Sequence, residues 1–225
     1  MTGSRTGLGA FIARELVLAG YRVFGCSRGA NGWEMHGYTH LQVDISDPDQ
    51  IAEMFRCIRR DAGRLDVIVN NAGTASMNHS LLMPPATVDR LVRTNFNGSF
   101  LVAREGAKLM RKRRFGRIVN LSTVAVPLRL EGEAVYAATK AAVEVMTRIM
   151  AFELADFGIT VNAVGPSPVD TDLIRGVPEK AIARLVNRLA IKRKGTPEDV
   201  MNVIDFFLRP ESSYITGQII YLGGV

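Results

Sequence analysis

Two cysteines, one tryptophan and three histidines are all that this 225-residue chain carries of those residue types. Cys26 and Cys57 are far apart and without metal-type spacing, so both read as reduced packing residues rather than a disulfide. His36, His40 and His79 show no ligand spacing either, and no metal site is expected. There is no apolar run long enough to span a bilayer, nor a charged-then-apolar leader ending in small residues. A cytoplasmic protein without a membrane partner is therefore expected. Repeats, low-complexity tracts and linkers are also missing, which makes residues 1–225 a single domain by expectation. The net charge of +6 comes without a helix-turn-helix, zinc-finger or aromatic-interleaved pattern, and this sets nucleic acid aside. Much of the excess lies in Arg111-Lys112-Arg113-Arg114 and Lys192-Arg193-Lys194. Each run reads as a solvated helix end, or as a contact for an acidic partner or a phosphorylated cofactor.

What is present is an ordinary globular balance, 47% hydrophobic and 22% charged, arranged as short apolar runs alternating with helical patterns. Strands are expected at Tyr21–Ser27, His40–Asp44, Leu65–Asn70, Arg117–Ser122, Ile159–Val164 and Gln218–Leu222. Helices are expected at Leu8–Ala19, Asp49–Ala62, Thr87–Arg113, Glu133–Phe157, Pro178–Leu189 and Pro197–Leu208. That alternation argues for an α/β fold with a parallel sheet and crossover helices. The link from Ser27 to His40 is too short and glycine-rich for a full helix.

Chemistry is concentrated in Tyr136-Ala137-Ala138-Thr139-Lys140. Residues four apart share a helix face, so the Lys140 ammonium can sit near the Tyr136 phenol. A free tyrosine ionises near pH ~10. A neighbouring cation lowers that value toward the range useful for proton transfer. Thr2-Gly3-Ser4-Arg5-Thr6-Gly7-Leu8-Gly9 is a glycine-rich turn entering a helix. There Gly3, Gly7 and Gly9 let backbone approach a pyrophosphate. Asp44 ends one strand, Asn70-Asn71-Ala72-Gly73 follows the next, and Asn95 falls inside a long helical pattern, where asparagine is a poor former.

In that order these elements resemble the short-chain dehydrogenase/reductase family, over nearly the whole chain. Gly158-Ile159-Thr160-Val161-Asn162-Ala163-Val164, Gly195-Thr196-Pro197-Glu198-Asp199 and Ser212–Gln218 look most like its 3-oxoacyl-acyl-carrier-protein reductases. The resemblance implies a Rossmann-type doubly wound sheet and a cofactor turn at Gly3, Arg5, Thr6, Gly7, Leu8 and Gly9. Tyr136 would exchange a proton with the substrate oxygen, and Lys140 would hold the nicotinamide ribose and depress the tyrosine. Asn95 would support a water joining Lys140 to solvent. Asn71, Ala72 and Gly73 would contact the adenosine ribose side, Asp44 and Ile45 the adenine, and Pro166, Val169 and Thr171 the carboxamide. An enzyme choosing NAD places an acid at the end of the second strand. Here Ser27 stands there, followed by Arg28, and Arg5 adds a second cation. NADP(H) is accordingly preferred over NAD(H), because a hydroxyl and a guanidinium suit a 2′-phosphate.

The sequence departs from the family pattern in three places. The family's catalytic serine is replaced by Thr123, with Ser122 beside it as the alternative hydroxyl. Ser167 stands where glycine is usual. The strand expected before the glycine turn, at the centre of the sheet, is missing, so a start upstream of Met1 is expected, or else a chain that folds poorly or survives by association. The resemblance implies hydride transfer between NADP(H) and a ketone or 3-oxo substrate, with acyl carrier protein a possible partner of the Arg111–Arg114 run. It also implies a homo-oligomer, dimer or tetramer, built on the long helices Thr87–Arg113 and Glu133–Phe157. Substrate choice is assigned to Thr74–Pro85 and Asp172–Leu189, with Leu81, Leu82, Met83, Leu173, Ile174 and Val177 as an apolar wall. Alcohol oxidation and a catalytically weak dinucleotide-binding sensor or scaffold are the competing readings.

Overall fold

The computed structural model describes residues 1–171 and 174–225, so Asp172 and Leu173 lie outside the described residues. The elements alternate as the sequence pattern requires. Helix α1 (Gly7–Leu18) is followed by strands β1 (Val23–Ser27) and β2 (Tyr38–Gln42), joined without a helix. Next come α2 (Pro48–Ala62), β3 (Val67–Asn70), α3 (Pro85–Leu91), a π-helical turn at Val92–Gly98 and α4 (Ser99–Met110). The chain then forms β4 (Gly116–Leu121), α5 (Ala125–Leu128), α6 (Ala134–Ala155), β5 (Ile159–Gly165), α7 (Glu179–Val186), α8 (Pro197–Leu208) and β6 (Ile219–Tyr221).

Local chemistry accounts for the element ends. Asp47 caps α2 by accepting from the amides of Asp49 and Gln50, Pro48 opens the helix, and Gly63 closes it at φ 67°. A reciprocal capping box between Thr196 and Asp199 starts α8. Strands β4 and β5 are buried along their whole length, polar Arg117, Asn120, Thr160 and Asn162 included, as expected of central strands covered on both faces. The expected helix over Thr87–Arg113 is broken in three. It starts at Pro85, widens to a π turn around Asn95 and ends at Met110.

All pairings are parallel, in a two-stranded sheet β1-β2 and a four-stranded sheet β3-β4-β5-β6. Successive β4 residues feed opposite layers. Ile118 packs with Val102, Ala107, Val143 and Met146 of α4 and α6. Val119 packs with Ile12 and Leu16 of α1 and Ile204 and Phe207 of α8. This is a doubly wound α/β sheet with helices on both faces.

Among the described residues no strand lies between β1 and β3. Met1–Gly3 fills one end of that gap. The Met1 amino group donates to Phe24 O at 2.9 Å and Cys26 N to Met1 O at 3.0 Å, while on the other side Thr2 N donates to Val69 O at 3.1 Å. Burial lowers the pKa of that amino group. The rest of the gap is a cavity of about 70 Å³ lined by Val23, Phe24, Phe55, Ile68, Val69 and Val102.

Candidate active site

Loops at the carboxyl ends of β1, β3, β4 and β5 converge beside the start of α1, the position at which open α/β sheets bind ligands. The glycine turn is held there by residue type. Gly3 and Gly7 adopt φ of 68° and 54°, and a β-carbon on Gly9 would stand 1.9 Å from Gly3 O. Thr2 and Asn71 lock the turn to the β3 loop. The Thr2 hydroxyl accepts from the amides of Asn71 (3.1 Å) and Ala72 (3.0 Å), and Asn71 Nδ2 donates to Thr2 O and Gly3 O at 3.1 and 3.2 Å. The Asn71 side chain therefore holds the turn, a role its motif alone did not distinguish from direct cofactor contact. Thr2 was missed as a site residue; its signal was its place beside Gly3.

The amides at the start of α1 receive no side-chain cap from Thr6. An uncapped helix start behind a glycine turn suits a pyrophosphate, so the residues present fit a dinucleotide. No carboxylate ends β1. Instead Ser27 Oγ donates to Gly29 O at 2.9 Å and lies 3.1 Å from His40 Nε2, Arg28 is exposed, and the Arg5 side chain lies across Gly29. A cleft of about 430 Å³ opens between α1 and this loop, lined by Arg5, Thr6, Arg14 and Trp33 among others. The Arg14 guanidinium sits 4.8 Å from the Trp33 ring centre.

Asp44 and Ile45 form the turn from β2 into α2. Asp44 Oδ1 accepts from Ser46 N (2.9 Å) and Ser46 Oγ (2.8 Å), and Ile45 is buried against Gly98. After β5, the Pro166 carbonyl accepts from Val124 N at 3.1 Å, Val169 bridges to Gly195, and Thr171 lies against Gly7. Ser167 is buried at that same Gly195. Leu81 and Leu82 are exposed.

Helix α6 delivers Tyr136 and Lys140 on one face, 8% and 5% exposed. The Thr123 hydroxyl lies on the Tyr136 side and lowers the pKa of its phenol. Ser122 turns the other way, to the buried Glu144 carboxylate. The alternation of side chains along an extended segment separates the two neighbours. Lys140 Nζ donates to Leu121 O at 2.8 Å. A β-carbon on Gly73 would stand 3.4 Å from that nitrogen and 3.3 Å from Asn95 Oδ1, so the three residues meet. Asn95 sits at the π turn, a feature frequent at functional sites. Its side chain accepts from Thr74 N (2.8 Å) and donates to Thr74 O (2.9 Å) and Thr139 Oγ1 (3.1 Å). Thr139 in turn donates to Tyr136 O at 2.7 Å.

The electrostatics correct one expectation. Burial, reinforced by the nearby Glu133, pushes the Tyr136 phenol up to about 12, with the Thr123 hydroxyl opposing it. Lys140 does not pull the phenol down; its ammonium is directed at the Leu121 carbonyl, and burial lowers it to about 8. Tyr136 is thus a protonated donor at neutral pH. Desolvation outweighs the charge effect that the four-residue spacing suggested.

A parallel doubly wound sheet, a glycine turn at a helix start and a buried Tyr–Lys helix pair define a nicotinamide-dinucleotide type of oxidoreductase. Residues 3–224 match the family model described as enoyl-(acyl carrier protein) reductase. The chain belongs to the short-chain dehydrogenase/reductase family. It is 30% identical to the 3-oxoacyl-[acyl-carrier-protein] reductase MabA of Mycobacterium tuberculosis over 224 residues, covering 100% of this chain and 90% of that one. It is also 30% identical to the 3-oxoacyl-[acyl-carrier-protein] reductase FabG of Escherichia coli over 230 residues, covering 100% and 94%. Among solved structures, the ligand-free aldohexose dehydrogenase of Thermoplasma acidophilum superposes with a TM-score of 0.90 at 28% identity, covering 99% of this chain and 91% of that one. ElxO with NADP bound superposes with a TM-score of 0.90 at 27% identity, covering 98% and 94%. No described helix is long and apolar enough to cross a membrane.

Proposed function

We propose that the protein transfers hydride between NADP(H) and a ketone or 3-oxo group, with Tyr136 giving or taking the proton at the oxygen. The observation that carries this reading is the burial of Tyr136 and Lys140 on one face of α6, with the Thr123 hydroxyl beside the phenol. A carbonyl becoming an alcohol needs one donor to polarise the oxygen and one to protonate it. Thr123 suits the first role and Tyr136 the second. A bound nicotinamide would supply the hydride. Gly3, Gly7 and Gly9 would admit its pyrophosphate to the start of α1, Arg5 and Arg28 would receive the 2′-phosphate, and Lys140 would orient the ribose. Asn71 secures the turn, and Asn95, through Thr74 and Thr139, fixes the floor beside Lys140. Pro166, Val169 and Thr171 would close the nicotinamide side.

The similarity to 3-oxoacyl-[acyl-carrier-protein] reductases supports an acyl thioester as substrate and an acidic carrier protein as partner. The fold similarity to an aldohexose dehydrogenase favours a second reading, oxidation of an alcohol such as an aldose hydroxyl, with Tyr136 as base. A homo-oligomer is supported by the outward apolar stripe on α6, where Val145, Ile149 and Phe152 are 54%, 53% and 86% exposed.

The test is Tyr136→Phe, assayed with NADPH and acetoacetyl-coenzyme A as a soluble 3-oxoacyl thioester. Turnover is expected to fall by at least ~100-fold, the scale of a lost general acid, while NADPH still raises the melting temperature. Unchanged turnover would overturn the role of Tyr136. A larger thermal shift with NADH than with NADPH would overturn the cofactor assignment.

A further inference from the structure

The most heavily hydrogen-bonded buried acid on the reactive helix has no part in that mechanism. Glu144 lies one turn beyond Lys140 on α6 and is 4% exposed. Its Oε1 accepts from the Ser122 hydroxyl and its Oε2 from the Tyr221 hydroxyl, the latter at 2.7 Å. As a carboxylate it can only accept, so both hydroxyls are committed to it as donors. Tyr221 is held as a donor, its phenol pushed well above the usual range by burial and by Glu144.

The three partners come from three elements. Ser122 follows β4 and its amide donates to Val164 O at 2.7 Å. Tyr221 ends β6, opposite Gly165 of β5. Its ring packs so closely that a β-carbon on Gly165 would stand 2.4 Å from it. Glu144 therefore ties α6 to the ends of β4 and β6 at one point. On either side of Ser122 lie the two groups the reactive pair relies on, the Leu121 carbonyl that receives Lys140 and the Thr123 hydroxyl that meets Tyr136. A side chain that fixes Ser122 fixes both, since neighbouring peptides are rigid planes with only two soft dihedrals per residue.

We infer that Glu144 is a positioning residue. Through Ser122 and Tyr221 it holds residues 121–123 in the register that places Leu121 O on Lys140 and the Thr123 hydroxyl on Tyr136. The inference rests on the reading of Tyr136, Lys140 and Thr123 as the reactive groups. It also favours Thr123 over Ser122 as the hydroxyl at the phenol, because the Ser122 proton is directed at Glu144.

The test compares Glu144→Ala, Glu144→Gln, Ser122→Ala and Tyr221→Phe by crystal structure and by kinetics with NADPH and acetoacetyl-coenzyme A, normalised to NADPH-binding sites. In Glu144→Ala, Lys140 Nζ is expected to leave hydrogen-bond reach of Leu121 O, and kcat to fall by at least ~10-fold while NADPH affinity changes by less than ~3-fold. Glu144→Gln is expected to restore most of kcat, because both hydroxyls can rotate to suit an amide. Ser122→Ala and Tyr221→Phe, each removing one partner, are expected to give smaller losses. Should Glu144→Ala fail to fold, these two carry the same comparison. A merely structural role would lower the melting temperature with kcat per binding site intact. That result, or an unmoved Leu121–Thr123 segment, overturns the inference. Absence of turnover in the wild type would count against the proposed reaction alone, since the structural comparison still decides the position of Lys140.

Discussion

Replacing Lys140 with Met should make this protein more stable at neutral pH while abolishing its chemistry. The Lys140 ammonium is buried beneath α6, and burial lowers its pKa from 10.5 to about 8. Each pH unit is worth about 1.4 kcal/mol, so holding the charge inside costs the fold ~3 kcal/mol below pH 8. Methionine is similar in length and apolar, and it loses only the hydrogen bond to Leu121 O, worth about 1 kcal/mol. The balance is a gain of ~2 kcal/mol, or roughly 4–8 °C in melting temperature for a chain of this size. The sign with pH follows from linkage. Between pH 8 and 10 the unfolded chain binds more protons at this residue than the folded one, so wild-type stability rises through that window. The Met variant lacks this rise, and the two melting curves should converge toward pH 10. Above pH 10 the phenol of Tyr136, held at about 12 in the fold, acts the other way. The unfolded chain ionises first and stability falls. Scanning calorimetry of both proteins from pH 7 to 10 checks this. A Met variant that melts at or below wild type at pH 7, or by a constant margin at every pH, refutes the assignment of the buried charge.

Two further substitutions address the cofactor turn. Gly9→Ala puts a β-carbon 1.9 Å from a backbone oxygen, which cannot yield without moving the turn. It should abolish the NADPH-induced melting shift and lower the apo melting temperature, as read by calorimetry with and without cofactor. Arg28→Glu sets a carboxylate at the end of β1, where it repels a 2′-phosphate and can accept from a ribose hydroxyl. The ratio of NADPH to NADH affinity, measured by titration calorimetry, should fall by at least ~10-fold, the worth of one charge-assisted hydrogen bond.

The layers were legible because their signals are local. Amphipathic spacing exposed α2 through Ile51, Met54, Phe55 and Ile58, its buried face, and short β-branched apolar segments exposed β4 and β5. The Tyr136–Lys140 pair and the glycine turn were legible because they follow fixed spacings. The π turn was not. Its only trace was Asn95 in a poor helical position, and a widened turn depends on contacts with Thr74 and Thr139 from elsewhere in the chain. The surroundings of Ser122 and Thr123 were undecided for the same reason: two adjacent hydroxyls are equivalent on paper, and Glu144, 22 positions from Ser122, engages that one. The pKa ordering shows the deeper limit. Spacing along a helix reveals which groups are neighbours, yet what Lys140 does to Tyr136 depends on how dry the site is and on which carbonyl takes the ammonium. Both are properties of the packed core. Here the dry environment raises the acid and lowers the base, bringing the two titrations about four pH units apart. The phenol therefore keeps its proton across the neutral range.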